Sequence, residues 1–196
     1  MISIIDNYDS FTYIIAQYFA ATGMPVEVRK NDVATVQTVI DSAPIGVVLS
    51  PGPGRPEDSG NSFDILAAIR GRVPVLGICL GHQIIARSMG VEVTAAARIS
   101  HGKASAITHH GKGLFTNIKQ NTKVGRYHSL SIDKNTINKS LSIVAETADD
   151  IAETMAVEDL SAHIYGVQFH PESIMTEDGM TMIKNFVHIC RNAKLS

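Results

Sequence analysis

The first ninety residues alternate short, almost continuously apolar segments with segments whose apolar residues recur at helical spacing. Strands that are apolar along their whole length are buried on both faces, which is typical of a parallel sheet covered by helices on each side. We therefore predict an α/β fold with a mostly parallel central sheet. The predicted strands are Ile2–Ile5, Val26–Arg29, Gly46–Ser50 and Val73–Ile78, and the predicted helices are Phe11–Ala21, Thr35–Asp41, Ser62–Arg70 and Gly81–Met89.

The pattern changes after Gly90, where short strand signals are separated by Gly, Asn and Asp turns. This pattern predicts an antiparallel β extension in the second half of the chain, followed by a closing helix over Glu177–Asn192. No linker or repeat interrupts the 196 residues, so we expect a single domain over 1–196. The predicted strands are Lys103–Thr108, Thr122–Tyr127, Ser142–Thr147, Thr154–Val157 and Ile164–Phe169.

Composition narrows the functional classes. Lys and Arg number 17 against 19 Asp and Glu, a net charge of −2, and no basic stripe indicates nucleic acid or an anionic membrane as a partner. The N-terminal apolar run is too short for a signal peptide or a membrane span, so we expect a cytoplasmic protein. The two cysteines, Cys79 and Cys190, do not make a disulfide framework, and the eight histidines have no metal-ligand spacing. We expect no metal site.

The sharpest local feature is Gly77-Ile78-Cys79-Leu80-Gly81, where a predicted strand meets a predicted helix. The spacing matches the nucleophile elbow G-x-S-x-G, with Cys in place of Ser. Such a turn exposes the sulfur near the N-terminus of the helix, whose partial positive charge favours thiolate. The Leu80 N–H is then placed to bind an oxyanion. A buried structural cysteine is the alternative, and this motif alone does not decide between them.

Two further motifs follow predicted strands. His170 and Glu172 are two residues apart around Pro171; in extended chain both side chains point the same way, so the carboxylate would orient the imidazole. Gly52, Pro53 and Gly54 belong to a rigid Pro-Gly-Pro-Gly loop whose N–H groups would complete an oxyanion hole. That loop is not a dinucleotide fingerprint, because its third glycine is missing.

Together, Gly77–Gln83, the Pro-Gly-Pro-Gly loop and His-Pro-Glu-Ser from His170 resemble the class I (triad) glutamine amidotransferases along essentially the whole chain. The segments Asp6–Thr12, His101–Lys103 and Arg126–Leu130 resemble the subunits that serve chorismate-using synthases. Those subunits are anthranilate synthase component II and the para-aminobenzoate (aminodeoxychorismate) synthase glutaminase. The resemblance implies a three-layer, flavodoxin-like fold.

The resemblance also implies roles for individual residues. Cys79 would be the nucleophile, His170 the general acid and base, and Glu172 its orienter. The binding residues for L-glutamine would be Gly52, Pro53, Gly54, Leu80, Gln83, Ser129 and Leu130, with Gly52 and Leu80 donating to the oxyanion.

A partner is implied as well. The chain carries no acid-rich Mg²⁺ motif and no second catalytic domain, so a separate chorismate-using synthase subunit (component I) would receive the ammonia. The loops at Asn7–Phe11 and His101–Lys103 would face that subunit. No cofactor is expected in this chain, and Mg²⁺ is expected only in the partner.

Several alternatives stay open at this point. Pro51–Gly60 and His101–Ser105 favour anthranilate formation, whereas Asp6–Asp9 favours aminodeoxychorismate formation. Some members of the family that this chain resembles serve both. A cysteine hydrolase or peptidase of related fold is a remote alternative, since Gln83, Ser129 and Glu172 fit a glutaminase better. A non-catalytic relative would be expected to lack a triad residue, and none is missing.

Overall fold

The computed structural model describes residues 1–193, which contain a nine-stranded sheet, a two-stranded sheet and five α-helices. The strands are β1 (Ile2–Asp6), β2 (Val26–Lys30), β3 (Gly46–Leu49), β4 (Val75–Ile78), β5 (Val93–Ala95), β6 (Lys103–His109), β7 (Thr122–Arg126), β8 (Leu130–Ile132), β9 (Ser142–Thr147), β10 (Thr154–Asp159) and β11 (Ile164–Val167). The helices are α1 (Thr12–Ala21), α2 (Val36–Asp41), α3 (Ser62–Ile69), α4 (Leu80–Ser88) and α5 (Gly179–Asn192), with short 3-10 helices at Pro56–Asp58, Gly113–Phe115 and Lys134–Thr136.

The large sheet has the strand order β2-β1-β3-β4-β11-β10-β9-β6-β7. The first five strands are parallel, and the remaining four pair antiparallel, so the predicted α/β class with an antiparallel extension is confirmed. The parallel strands follow the flavodoxin-like order of doubly wound folds. One detail of the prediction is wrong: β11, expected among the antiparallel strands, pairs parallel with β4 and joins the two parts.

Alternate residues of the parallel strands face two separate cores, because successive side chains of a strand point to opposite sides. On one face, α1 and α5 contribute apolar side chains such as Ile15, Phe19 and Phe186, all fully buried. On the other face, α2, α3 and α4 contribute side chains such as Val39, Ile65 and Ile84, also fully buried. Full burial of one such side chain stabilises the fold by about 1.5–3 kcal/mol. The three-layer arrangement is therefore confirmed.

The strand directions bring four loops to one edge of the sheet. The loops after β1, β3, β4 and β11 all leave from the carboxyl ends of parallel strands, where open α/β sheets bind their ligands. None of the helices within residues 1–193 combines the length and the apolar character that a membrane span requires.

Strands β5 and β8 were not predicted from the sequence. Each has three residues, too few for an alternating pattern to stand out, and they pair antiparallel with Ala95 opposite Leu130 and Val93 opposite Ile132. Both strands contact α4. This small sheet carries the segment at Ser129 and Leu130 to the edge where the four loops meet.

Candidate active site

Cys79 lies between β4 and α4 in a strained backbone conformation, with φ 52° and ψ −100°. Such positive φ values are uncommon for residues with a Cβ and cluster at functional turns. The turn is held by a hydrogen bond from Cys79 N–H to the Val167 carbonyl, 2.8 Å. A Cβ at Gly81 would lie 2.1 Å from the Leu49 carbonyl oxygen, and one at Gly77 would lie 2.4 Å from the Gly81 carbonyl oxygen. The tight elbow therefore requires both glycines, as the sequence predicts.

The elbow sets the sulfur at the N-terminus of α4. Cys79 is a free cysteine with 7% of its surface exposed. Leu80 is the first helical residue, and N–H groups of a first turn have no acceptor within their own helix. The helix dipole and these N–H groups favour negative charge at this point, on a thiolate or on an oxyanion.

His170 and Glu172 form a buried pair, with 2.6 Å between His170 Nδ1 and Glu172 Oε1. The predicted pairing is present, but the predicted extended backbone is wrong: the chain turns here, and Ser173 N–H donates to the His170 carbonyl at 3.2 Å. The segment is anchored by His170 N–H donating to the Gly125 carbonyl, 3.0 Å, and by the Thr176 hydroxyl donating to the His170 carbonyl, 2.6 Å. The imidazole is thus fixed from both its ring and its backbone.

Two opposing effects act on the pKa of His170. Burial lowers it, but interactions with Cys79 and Glu172 outweigh burial and raise the pKa of His170 to about 10. The ring is therefore cationic at neutral pH. Its Nε2 has no hydrogen-bond partner of normal length among the described residues, which leaves that nitrogen available to a reacting group.

Aromatic rings cover the imidazole. Phe11 and Tyr127 lie edge-on to His170, with ring centroids 5.1 and 5.0 Å away, and His101 packs on Tyr127 at 5.7 Å. Contacts of this kind exclude water from the ring. The two loops that the sequence assigns to a partner surface, at Phe11 and His101, therefore reach the histidine directly or through one ring.

The Pro-Gly-Pro-Gly loop follows β3 and lies against the elbow. A Cβ at Gly52 would be 2.6 Å from the Asn7 carbonyl oxygen and 2.8 Å from Leu80 Cδ2. Asn7 braces the base of the loop: its N–H donates to Ser50 Oγ and its side-chain amide donates to the Ser50 carbonyl, both at 2.8 Å. Only a glycine allows the Gly52 backbone to approach Asn7 and the Leu80 side chain this closely.

A cavity of about 180 Å³ opens beside Cys79. All seven residues that the resemblance assigns to glutamine line it, whereas His170 and Glu172 are not part of the lining. The lining residues are Gly52, Pro53, Gly54, Cys79, Leu80, Gln83, Tyr127, His128, Ser129 and Leu130.

A hydrogen-bond network connects this cavity to the sulfur. Gln83 Nε2 donates to the Leu130 carbonyl and to Gln168 Oε1, both at 3.0 Å, and Gln168 Nε2 lies 3.7 Å from Cys79 Sγ. His128 Nδ1 lies 2.9 Å from the same Leu130 carbonyl. The sequence prediction assigned no role to Gln168, and its place beside the His-Pro-Glu motif was the only signal. Among residues 1–193, no cluster of His, Cys, Asp and Glu is arranged to hold a metal ion.

Known proteins share this sequence along most of its length. The family model for Glutamine amidotransferase class-I matches residues 3–190. The bifunctional protein TrpGD of Thermotoga maritima is 44% identical over 95% of this chain, and the chain spans 32% of that protein's length. The aminodeoxychorismate/anthranilate synthase component 2 of Bacillus subtilis is 41% identical, over 97% of both chains.

Among solved structures, a Thermoplasma acidophilum protein described as part of a GMP synthase superposes with a TM-score of 0.82 at 24% identity. The superposition covers 97% of this chain and 93% of that one, and it supports the fold. With a family model spanning nearly all of its residues and relatives above 40% identity, the chain belongs to the class I glutamine amidotransferases.

Proposed function

We propose that this chain is a glutaminase subunit: it hydrolyses L-glutamine to glutamate and ammonia and passes the ammonia to a chorismate-using synthase. The observation that carries the proposal is a cysteine elbow that lines a small polar cavity, together with a buried, carboxylate-bound His170 whose pKa is raised by Cys79 and Glu172. The mechanism needs the thiol, the imidazole and backbone N–H groups, so we propose no cofactor in this chain; Mg²⁺ would belong to the synthase.

The proposed reaction begins with attack of the Cys79 thiolate on the side-chain amide carbon of glutamine. The N–H groups of Gly52 and Leu80 stabilise the tetrahedral oxyanion, and one such donor typically contributes about 10²–10³ in rate. His170 donates its proton to the departing nitrogen, which leaves as ammonia with formation of a glutamyl thioester. The neutral imidazole then takes a proton from water, whose oxygen attacks the thioester and releases glutamate and the thiolate.

The groups that bind the amino-acid end of glutamine are those cavity donors and acceptors that do not already form hydrogen bonds within the protein. A side-chain amide has two N–H donors, and Gln83 uses both, on the Leu130 carbonyl and on Gln168. Its Oε1 is therefore the acceptor that it offers to the α-ammonium of the substrate. The Leu130 carbonyl also accepts from His128, so both of its lone pairs are used. We infer that Leu130 shapes the cavity and that the Ser129 main chain contacts the substrate.

The partner surface is proposed at the edge of the sheet that carries the triad. Ile174 follows the triad carboxylate by two residues and is 99% exposed. One exposed isoleucine is ordinary on a protein surface, but its neighbours Ser173 and Met175 contact Tyr127, on which Phe11 and His101 of the expected partner loops pack. We therefore propose that the synthase covers Ile174. Ile174→Asp should weaken binding of the synthase chain at least tenfold in a titration. Leu160→Asp is the matched control, because Leu160 is 61% exposed and follows β10, whose last residue pairs with the first residue of β11 at the end of the sheet away from the triad. Equal affinities for the two variants would refute this surface.

For the acceptor pathway we propose anthranilate formation in tryptophan biosynthesis, on the motifs at Pro51–Gly60 and His101–Ser105. Aminodeoxychorismate formation for folate, favoured by Asp6–Asp9, is the alternative, and the name of the Bacillus subtilis relative includes both syntheses. A reducing cytoplasm is the proposed location, because Cys79 must stay a free thiol.

The test is glutamine hydrolysis measured with candidate synthase chains from the same genome, added one at a time with chorismate, for wild type and Cys79→Ser. We expect glutamate release to rise with one partner, to vanish in the variant, and to be accompanied by anthranilate. Aminodeoxychorismate as the product would select the alternative pathway. Activity that survives in Cys79→Ser, or that no synthase raises, would contradict the proposal.

A further inference from the structure

A fully buried ion pair lies behind the cavity, in the antiparallel part of the sheet. Arg126, in β7, has 1% of its surface exposed and is the largest fully buried side chain among the described residues. Its guanidinium forms a hydrogen-bonded ion pair with the carboxylate of Glu153, which is 8% exposed and precedes β10. Such pairs cost desolvation energy and often stabilise no more than apolar residues of similar size. Stability alone is therefore a weak reason for this one.

The guanidinium also determines which nitrogen of His128 carries the proton. Arg126 Nε donates to His128 Nε2 at 3.0 Å, and because an arginine N–H only donates, Nε2 must accept. Burial first, then the neighbouring Arg126 charge, lower the pKa of His128 to about 4, so the ring is neutral at neutral pH. The single proton therefore resides on Nδ1 and is donated to the Leu130 carbonyl, 2.9 Å away.

The Leu130 carbonyl connects the ion pair, through His128, to the substrate cavity. It accepts from His128 and from Gln83, both of which line the cavity. Without Arg126, Nε2 would be a buried acceptor with no donor, and the Leu130 carbonyl alone would favour the proton on Nδ1. A shift of the proton to Nε2 would then place a lone pair of Nδ1 against the Leu130 carbonyl oxygen. The two acceptors would repel, and the rim at Ser129 and Leu130 would move.

We propose that Arg126 and Glu153 are positioning residues for glutamine, which fix the tautomer of His128 and thereby hold the Ser129–Leu130 rim in its binding geometry. Glu153 neutralises and orients the guanidinium, Arg126 orients the imidazole, and His128 orients the carbonyl. The inference rests on the proposed function, since it assigns these residues to the binding of the same substrate.

The test begins with Arg126→Lys in the full chain. A lysine retains the charge for Glu153, but its single ammonium does not reproduce the planar fork that serves His128 and Glu153 together. We expect the dissociation constant of glutamine, measured by its protection of Cys79 from iodoacetamide, to rise about tenfold, as loss of one well-aligned hydrogen bond would produce. The alkylation rate without glutamine should stay within twofold of wild type, because the elbow is untouched.

With the synthase present, KM for glutamine should rise by a similar factor while kcat stays within about twofold. A spectroscopic readout separates positioning from general damage: nitrogen-15 spectra should show His128 protonated on Nδ1 in wild type and on Nε2 in Arg126→Lys, with His128→Gln identifying the resonances. An unchanged tautomer, or a dissociation constant within twofold of wild type, would overturn the proposal. So would a loss of kcat with KM unchanged.

A second variant guards against misfolding of the first. Arg126→Met/Glu153→Met removes both charges together, a replacement that proteins often tolerate. If the double variant folds and binds glutamine as tightly as wild type, the pair has no positioning role. A tenfold weaker affinity in the folded protein supports that role. Failure of both variants to fold would make the pair structural and would overturn the proposal. Failure of the proposed function would look different, because wild-type Cys79 would then gain no protection from glutamine.

Discussion

The parallel and antiparallel parts of the sheet contribute different kinds of groups to one site. The loops after β3 and β4 contribute backbone: a strained cysteine turn and a glycine loop whose close approach leaves no room for a Cβ. The antiparallel part contributes side-chain hydrogen bonds, which run from Glu153 through Arg126 and His128 to the Leu130 carbonyl. Positions with close backbone contacts do not tolerate an added Cβ, whereas side-chain hydrogen-bond networks do not tolerate the loss of a donor or acceptor. The two parts should therefore respond to different substitutions.

The largest difference in stability is expected between alanine substitutions of two glycines, one in each part of the sheet. In Gly81→Ala the new Cβ would lie 2.1 Å from the Leu49 carbonyl, and a strand backbone is unable to move aside, so we expect a loss of about 3 kcal/mol or more in the free energy of unfolding. In Gly125→Ala, in β7, the nearest atom is Ser173 Oγ at 2.8 Å, which is able to rotate away, and the Cβ atoms of Met175 and Ser173 lie at 3.1 Å, so that a shift of a few tenths of an ångström is enough. We expect a loss of about 1 kcal/mol. Urea unfolding measures both; similar losses would remove the contrast between the two parts.

The next effect concerns the orientation of His170. Glu172→Gln retains the shape of the side chain but removes the charge that holds Nδ1 at 2.6 Å. Loss of an orienting carboxylate in a comparable triad costs about 10⁴ in kcat. We expect a fall of about 10²–10⁴ in kcat for glutamine hydrolysis, with KM changed little because the cavity lining is intact.

The same substitution should lower the pKa of His170, since Glu172 is one of the groups that raise it to about 10. Titration of His170 by NMR in wild type and Glu172→Gln provides the check. Equal kcat values for the two proteins would show that the carboxylate has no orienting role.

The difference between the two parts also explains what the sequence was able to predict. The parallel half was predictable because a buried strand, a tight glycine turn and an amphipathic helix follow one another within about a dozen residues around Cys79. The His170–Glu172 pair was found for the same reason, although the backbone between them turns where extended chain was expected. Local order in the chain was enough.

Long-range contacts were not predictable in this way. Arg126 and Glu153 are 27 residues apart, and Gln83 and Gln168 are 85 apart, so no periodic pattern relates them. Strands β5 and β8 have three residues each and depend on pairing between distant segments. Hydrogen-bond networks of this kind follow from the fold, which brings together residues that no local propensity connects.

A smaller effect, on the pH dependence of stability, is expected from two neutral histidines, one in each part of the sheet. Burial lowers the pKa of His82, in α4, to about 3, and burial and Arg126 lower that of His128 to about 4. Both values lie below the unfolded value near 6.5, so the unfolded chain binds more protons, and the contribution of these two groups to stability is complete above pH 6.5 and falls as the pH decreases. His170, whose pKa is raised, has the opposite sign: its contribution is complete below pH 6.5 and is lost as the pH rises toward 10.

Two such groups predict a limiting loss of about 2.7 kcal/mol per pH unit, which is approached as the pH falls from 6.5 toward 5 and the unfolded histidines become fully protonated. His82→Gln should halve that slope whatever its effect on stability at pH 7. Urea unfolding at several pH values between 7 and 5 tests this, and an unchanged slope would mean that His82 is able to bind a proton in the folded state.

The smallest effect is expected at Gln168, where the two parts meet. It follows β11, the strand that pairs parallel with β4 and antiparallel with β10, and its amide accepts from Gln83 and lies 3.7 Å from the sulfur. Gln168→Glu retains the acceptor for Gln83 but places a negative charge beside a thiolate, whereas Gln168→Met removes the acceptor and adds no charge.

If the amide acts mainly on Cys79, the Glu variant should slow alkylation by iodoacetamide about tenfold and the Met variant much less. If it acts mainly by holding Gln83, the Met variant should weaken glutamine binding about tenfold with alkylation unchanged. Sulfur is a weak acceptor, so the contact with Cys79 is the weaker of the two hydrogen bonds of this amide. We therefore expect the Met variant to lose glutamine affinity and to retain a reactive thiol.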